Sequence, residues 1–254
     1  NERSTIGHIY KWGLEQGYIT QDRLPLWSEL RVTNIGTRTA FNIEDYQILY
    51  GYLKNYTKNI SDEGEIYNRK MIRDFILVQS NTGLRFGECR FLKWHYVSVV
   101  KGENKYPNVH IRVPAEISKV RKDRTSVGMR GDFFTRIKTY SNHTHSDDYI
   151  FSDMKTGEPL GKKVLYNMWH LIMRESGLGE SLNDYTYYCL RHTFATYRLQ
   201  YGKVDIRTLA KVMGCSVTYI EQHYDSARVE NMTDYITRGV NEKSKDAFGD
   251  VILR

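Results

Sequence analysis

The apolar positions along this chain keep helical spacing for most of its length and change once to strand spacing. Ile43, Tyr46, Leu49, Tyr50 and Leu53 fall on one helix face. Asn42 ahead of them can cap the helix, and Glu44 and Asp45 favour its positive end. The same spacing predicts a helix over roughly 66–78. After the NTG turn at 81–83 it predicts another, from about 84 to 94. YVSVV, NVHIRV and TSVGM are then short, β-branched and separated by polar loops, as in a small antiparallel sheet. Helical patterning resumes near Phe133. A short DYIF strand and a TGEPL turn lead into a helix over about 162–175, with further helices near 190–201, 205–213 and 216–223. The pattern predicts an α+β, mainly helical domain over 38–230 with a small antiparallel β-sheet. Ahead of it, TIGHIYKWGLEQGYI reads as helix and TNIGTRT as polar connector. Residues 1–37 are too few to bury a core, so they read as the end of a preceding domain plus a linker.

Composition narrows the class of partner. Of 254 residues, 40% are hydrophobic and 26% charged, which fits a folded domain rather than a disordered one. A formal charge of +7 favours a polyanion. Cys89, Cys189 and Cys215 form no CxxC pair and no disulfide framework, which points to a reducing cytoplasm. No apolar run approaches the roughly 20 residues of a membrane span, and no signal peptide is visible. The sequence opens on Asn1 rather than Met, so it reads as part of a longer protein.

Four stretches hold candidate chemistry. TGLRFGE at 82–88 offers a turn glycine, then Arg85 with Glu88 one helical turn on; an exposed pair of this kind contributes only about 0.2–0.5 kcal/mol. ISKVRKDRTSV at 117–127 is a basic hairpin, which reads as a solvated loop or an anion contact. YCLRHTFAT brings Arg191, a forked and permanently charged group suited to phosphate, beside His192, which by itself reads as a buried structural histidine. The MGCS turn leads to a helix ending near Tyr224. A fifth stretch, HTHSDD at 143–148, hints at metal ligands but lacks a completing set, and it reads as a loop.

In this order the four blocks resemble those of the tyrosine recombinase (phage integrase) family, over about residues 38–230. The resemblance implies site-specific cutting and rejoining of double-stranded DNA, without metal or other cofactor. Tyr224 would be the nucleophile, forming a 3′-phosphotyrosine, and Arg85 and Arg191 would hold the phosphate. Lys119, with Lys122 as runner-up, would protonate the leaving 5′ oxygen. Lys122 and Arg124 would contact DNA, and Glu88 and His192 would support the site. Tyr219 is the weaker nucleophile because it follows MGCS too closely. Two positions depart from the pattern: Tyr188 stands where a histidine is common, and Cys215 where histidine or tryptophan is usual. Both would face the phosphate as weaker donors. Family logic further implies a homo-tetramer on paired DNA sites, an accessory DNA-bending or directionality protein, and a cytoplasmic (in bacteria, nucleoid-associated) location. Residues 1–37 would then end a DNA-binding domain. The tail over 231–254, with Phe248, Val251, Ile252 and Leu253, would dock on a neighbouring subunit or on its own domain. Two alternatives share the motifs: a DNA-binding module that has lost cleavage, and a type IB topoisomerase-like nicking-closing enzyme.

Overall fold

Side-chain caps begin the helices where the sequence places good acceptors. The computed structural model describes residues 2–25, 39–102, 105–180 and 185–224, so the apolar tail cluster lies outside the described residues. The chain divides into two compact units, Asn1–Gly36 and Thr37–Arg254. In the first, α1 (Glu2–Glu15) reverses so that the rings of Trp12 and Tyr18 meet at 5.5 Å.

In the second unit, α2 (Ile43–Lys54) starts as its cap predicts, with Asn42 Oδ1 accepting from Asp45 N at 2.6 Å. Next, α3 (Glu63–Thr82) is longer than its apolar spacing predicts, because Asp62 caps it through Glu65 N at 2.7 Å. The third helix is shorter than expected: α4 covers only Phe86–Arg90. The backbone beyond it pairs with a distant segment instead. Ile150 N donates to Leu92 O at 2.9 Å, Trp94 N to Asp148 O at 3.2 Å and His95 N to Ser146 O at 2.9 Å. For the same reason DYIF is no strand of the sheet and makes only an isolated bridge, Tyr149 with Lys93.

The sheet is antiparallel in the order β1 (Val97–Val100), β2 (Asn108–Val113), β3 (Arg124–Met129), with Val97 opposite Ile111 and Val113 opposite Arg124. Val109, Ile111 and Val113 alternate inward and are fully buried. Ser126 Oγ donates to Thr82 O at 3.1 Å, which fastens β3 to the end of α3. After α5 (Asp132–Lys138) and α6 (Lys162–Glu175) come α7 (Tyr187–Gln200), α8 (Ile206–Met213) and α9 (Val217–Tyr224). Phe75, Phe86, Trp169 and Tyr187 form an aromatic core between α3, α4, α6 and α7. A second cluster of Phe194, Ala195, Leu209, Ala210, Met213 and Ile220 holds α7, α8 and α9 together.

One buried ion network lies outside these apolar clusters. Asp74 is 0% exposed and accepts from Arg73 at 3.0 and 3.1 Å, from Tyr140 at 2.7 Å and from Arg136. Asp74→Asn leaves two guanidiniums without their carboxylate. Because both arginines keep some solvent contact, the expected loss is about 2–3 kcal/mol, read from the urea midpoint.

Candidate active site

Three arginines converge on the C-terminal end of α8. The last carbonyls of a helix have no partner within it and form the negative end of its dipole. Val212 O accepts from Arg124 Nε at 3.2 Å, Met213 O from Arg191 Nη2 at 2.8 Å, and Gly214 O from Arg85 Nη2 at 2.7 Å. These arginines come from the start of β3, from α7 and from the residue that precedes α4. One helix end therefore sets the positions of side chains from three separate elements.

Glu88 is the second anchor, and it is 1% exposed. Its Oε1 accepts from Arg85 Nη1 and Arg124 Nη1, both at 2.9 Å. Its Oε2 accepts from Arg124 Nη2 at 2.6 Å and from the Arg85 backbone N–H at 2.9 Å. Burial pushes this carboxyl up, but the hydrogen bonds and charge of Arg124, followed by those of Arg85, outweigh it and hold the pKa below its ordinary value. The pair that spacing alone would price as a surface contact is thus part of a buried junction, in which Arg124 grips Glu88 through both terminal nitrogens. Arg124, expected to contact DNA, has a side chain only 9% exposed and engaged by Glu88 and the α8 terminus.

Two glycines make this approach possible. Gly83 ends α3 with φ 65°, and a Cβ there would lie 2.4 Å from the Phe194 ring. Its carbonyl accepts from Arg191 Nη1 at 2.5 Å. Gly214 ends α8 with φ 64°, and a Cβ there would lie 2.7 Å from the Arg124 side chain. Both left-handed positions admit glycine at no steric cost.

Arg191 is 0% exposed, and its Nε has no hydrogen-bond partner among the described residues. Cys215 lies within the field of Arg191, Arg85 and Arg124. Burial raises its pKa more than those charges lower it, so the thiol stays protonated at neutral pH. Tyr188 is one turn before Arg191 on α7, its ring centroid 4.9 Å from that of the buried His192. Its hydroxyl meets that of Tyr219, on α9, at 3.0 Å. Tyr219 is the residue that sequence reasoning set aside. Its only signal was a position on the helix after the glycine turn, which says nothing of what it faces.

The structure therefore brings together Arg85, Glu88, Arg124, Arg191, Tyr188, His192 and Cys215, with Tyr219 added. Lys119 and Lys122 are exposed on the β2–β3 hairpin, and among the described residues no hydrogen bond or ion pair joins either to the arginines. Tyr224 is the last residue of α9, and its side chain lies outside the described set.

A mainly helical domain with a three-stranded antiparallel sheet, and an arginine cluster at the junction of its helices, is the tyrosine recombinase catalytic domain. Residues 45–231 match the Phage integrase family, and the chain belongs to it. No curated protein matches the chain by sequence. Among solved structures it is similar to the XerH site-specific recombinase bound to palindromic difH substrate, a post-cleavage complex. There the TM-score is 0.59 at 19% identity, over 85% of this chain and 57% of that one. It is also similar to the Tn1549 transposon integrase in complex with circular intermediate DNA (TM-score 0.59, 16% identity, 94% of this chain and 78% of that one). A lambda integrase dimer bound to a COC′ core site gives a TM-score of 0.58 at 17% identity, over 88% of this chain and 71% of that one. At these identities the likeness is one of fold. The chain spans 57% of the XerH chain's length. No helix among the described residues is long and apolar enough to cross a membrane.

Proposed function

We infer that this domain is a site-specific DNA recombinase of the integrase type, acting on double-stranded DNA through a 3′-phosphotyrosine. The observation that supports this most directly is the charge of the cluster. Arg85 and Arg124 share the single carboxylate of Glu88 and Arg191 joins them at the end of α8, a surplus of positive charge that suits the doubly negative pentacoordinate phosphorus of phosphoryl transfer. Arg85, with its side chain 16% exposed, meets the phosphate from the solvent side, and Arg191 backs it from beneath.

The step balances without an external energy source. The Tyr224 oxygen attacks phosphorus and loses its proton to solvent water, the bond from phosphorus to the 5′ oxygen breaks, and the ammonium of Lys119 or Lys122 on the hairpin gives its own proton to that oxygen. The 5′-hydroxyl of a partner strand reverses the sequence. Full ionisation of a free phenol at pH 7 costs about 4 kcal/mol, so the tyrosine depends on the arginines around its target. Exchange between two duplexes calls for four such sites, hence a homo-tetramer on paired DNA, with accessory DNA-bending proteins as partners. Tyr188 and Cys215 favour a second reading, a DNA-binding module that no longer cleaves, because both replace better proton carriers.

A covalent trapping assay separates the two. The protein, mixed with nicked duplexes drawn from the DNA flanking its own gene, is expected to give a denaturation-resistant adduct that Tyr224→Phe abolishes. Site-specific binding without any adduct would leave only the second reading.

A further inference from the structure

Both candidate proton donors lie in one short stretch of the β2–β3 hairpin. Residues 119–123 are all exposed, and the chain is held to the domain on either side of them. On the near side Ser118 is buried, and the Tyr96 hydroxyl donates to Glu116 Oε1 at 2.7 Å. On the far side, among the described residues, the first one held is Arg124, two positions after Lys122 and five after Lys119. Each of its three side-chain nitrogens donates to the cluster. Nε reaches Val212 O at 3.2 Å, and Nη1 and Nη2 reach the two oxygens of Glu88 at 2.9 and 2.6 Å. Glu88 also accepts from Arg85 Nη1 at 2.9 Å. The stretch that carries the lysines and the guanidinium that meets the phosphate are therefore fastened to the same carboxylate.

We propose that Arg124 is a positioning residue for proton transfer to the leaving group: by fixing the hairpin stem to Glu88 and to the end of α8, it sets the hairpin ammonium against the 5′ oxygen. The bond from phosphorus to that oxygen breaks as the ammonium proton moves onto it, so a hairpin set at another angle slows this step while the arginines still hold the phosphate. A direct DNA contact calls for a free guanidinium, and this one is occupied within the protein. The inference rests on the recombinase reading above.

The test compares adduct formation on two nicked duplexes, one ordinary and one with sulfur replacing the 5′ bridging oxygen of the scissile phosphate. A thiol has a pKa of about 8.5, far below that of an alcohol, so sulfur departs as thiolate without a donated proton. Rates at saturating DNA are measured for wild type, Arg124→Lys, Arg124→Ala, Lys119→Ala, Lys122→Ala and Arg85→Ala. Arg124→Lys keeps a positive charge beside Glu88 but cannot span both carboxylate oxygens and Val212 O. On ordinary DNA both Arg124 variants are expected to be about 10- to 100-fold slow, the effect of a small misplacement. On the sulfur duplex they are expected to match wild type, as is the lysine variant that lacks the acid, whereas Arg85→Ala stays slow on both. The ratio of the two rates does not depend on how much of a variant is folded, so lost stability alone leaves it unchanged.

Arg124 variants slowed equally on both duplexes would overturn the proposal, since that marks an action through Arg85 or through the fold. Wild-type rates on ordinary DNA would overturn it too, with or without weakened binding, and weakened binding would return Arg124 to a DNA contact. So would sulfur that rescues neither lysine variant, because the hairpin then supplies no proton. Wild type that binds its site and forms no adduct on either duplex would remove the recombinase reading itself, and this inference with it.

Discussion

Arg191→Lys is expected to slow adduct formation by about 100- to 1,000-fold, the usual effect of losing one preorganised donor at a phosphoryl or oxyanion site. Charge is retained in this variant, so the loss measures geometry. Arg191 spreads its two terminal nitrogens between Gly83 O at 2.5 Å and Met213 O at 2.8 Å, which join the ends of α3 and α8. A lysine ammonium is a single point on a flexible stem and cannot hold both carbonyls in the same geometry. One buried carbonyl is left without its donor, at about 1–3 kcal/mol of stability. The adduct time course and a urea titration read the two effects separately. An adduct rate close to wild type would show that Arg191 supports the fold and leaves the phosphate to Arg85.

Glu88→Gln is expected to be the most destabilising isosteric change in the cluster, by about 3–5 kcal/mol, since it strands two guanidiniums that are largely buried. A neutral amide also turns hydrogen towards donors that need an acceptor. The effect has a defined pH dependence. The folded-state pKa of Glu88 is depressed from its ordinary 4.5, so its stabilisation is fully present above that value and is lost as pH falls through the lower folded value. The melting-temperature gap between wild type and Glu88→Gln is therefore expected to be wide at neutral pH and to narrow on acidification below 4.5. A gap of constant width from pH 7 to pH 3 would mean that the charge of Glu88 is not what holds Arg85 and Arg124.

How far the sequence predicts this site depends on what holds each residue. Asn42 and Gly214 mark helix ends by local chemistry, and the elements they bound follow the predicted spacing at those ends, whereas α3 runs past its predicted end near 78 to Thr82 before Gly83 stops it. Arg85 with Glu88, and Arg191 with His192, are legible because each pair lies within one helical turn. The junction of Arg124 with Glu88 spans 36 positions and the Tyr188–Tyr219 bond 31, so no periodicity could expose either. The carbonyls that receive the arginines are invisible for another reason: every residue has one, and only the fold decides which are left over at a helix end. The α4 boundary failed similarly, because the backbone of 92–95 found partners around 146–150 that local propensity does not register.

The end of α8 acts as a common reference mark for three arginines, and it is built from main chain. Its accuracy is therefore a matter of residue count rather than residue kind. A different side chain at Val212 leaves the carbonyl where it was, whereas one residue added to or removed from α8 turns every later carbonyl by about 100° around the axis. Substitutions along α8 can thus change its composition freely, while its length is fixed by the three arginines that dock on its end.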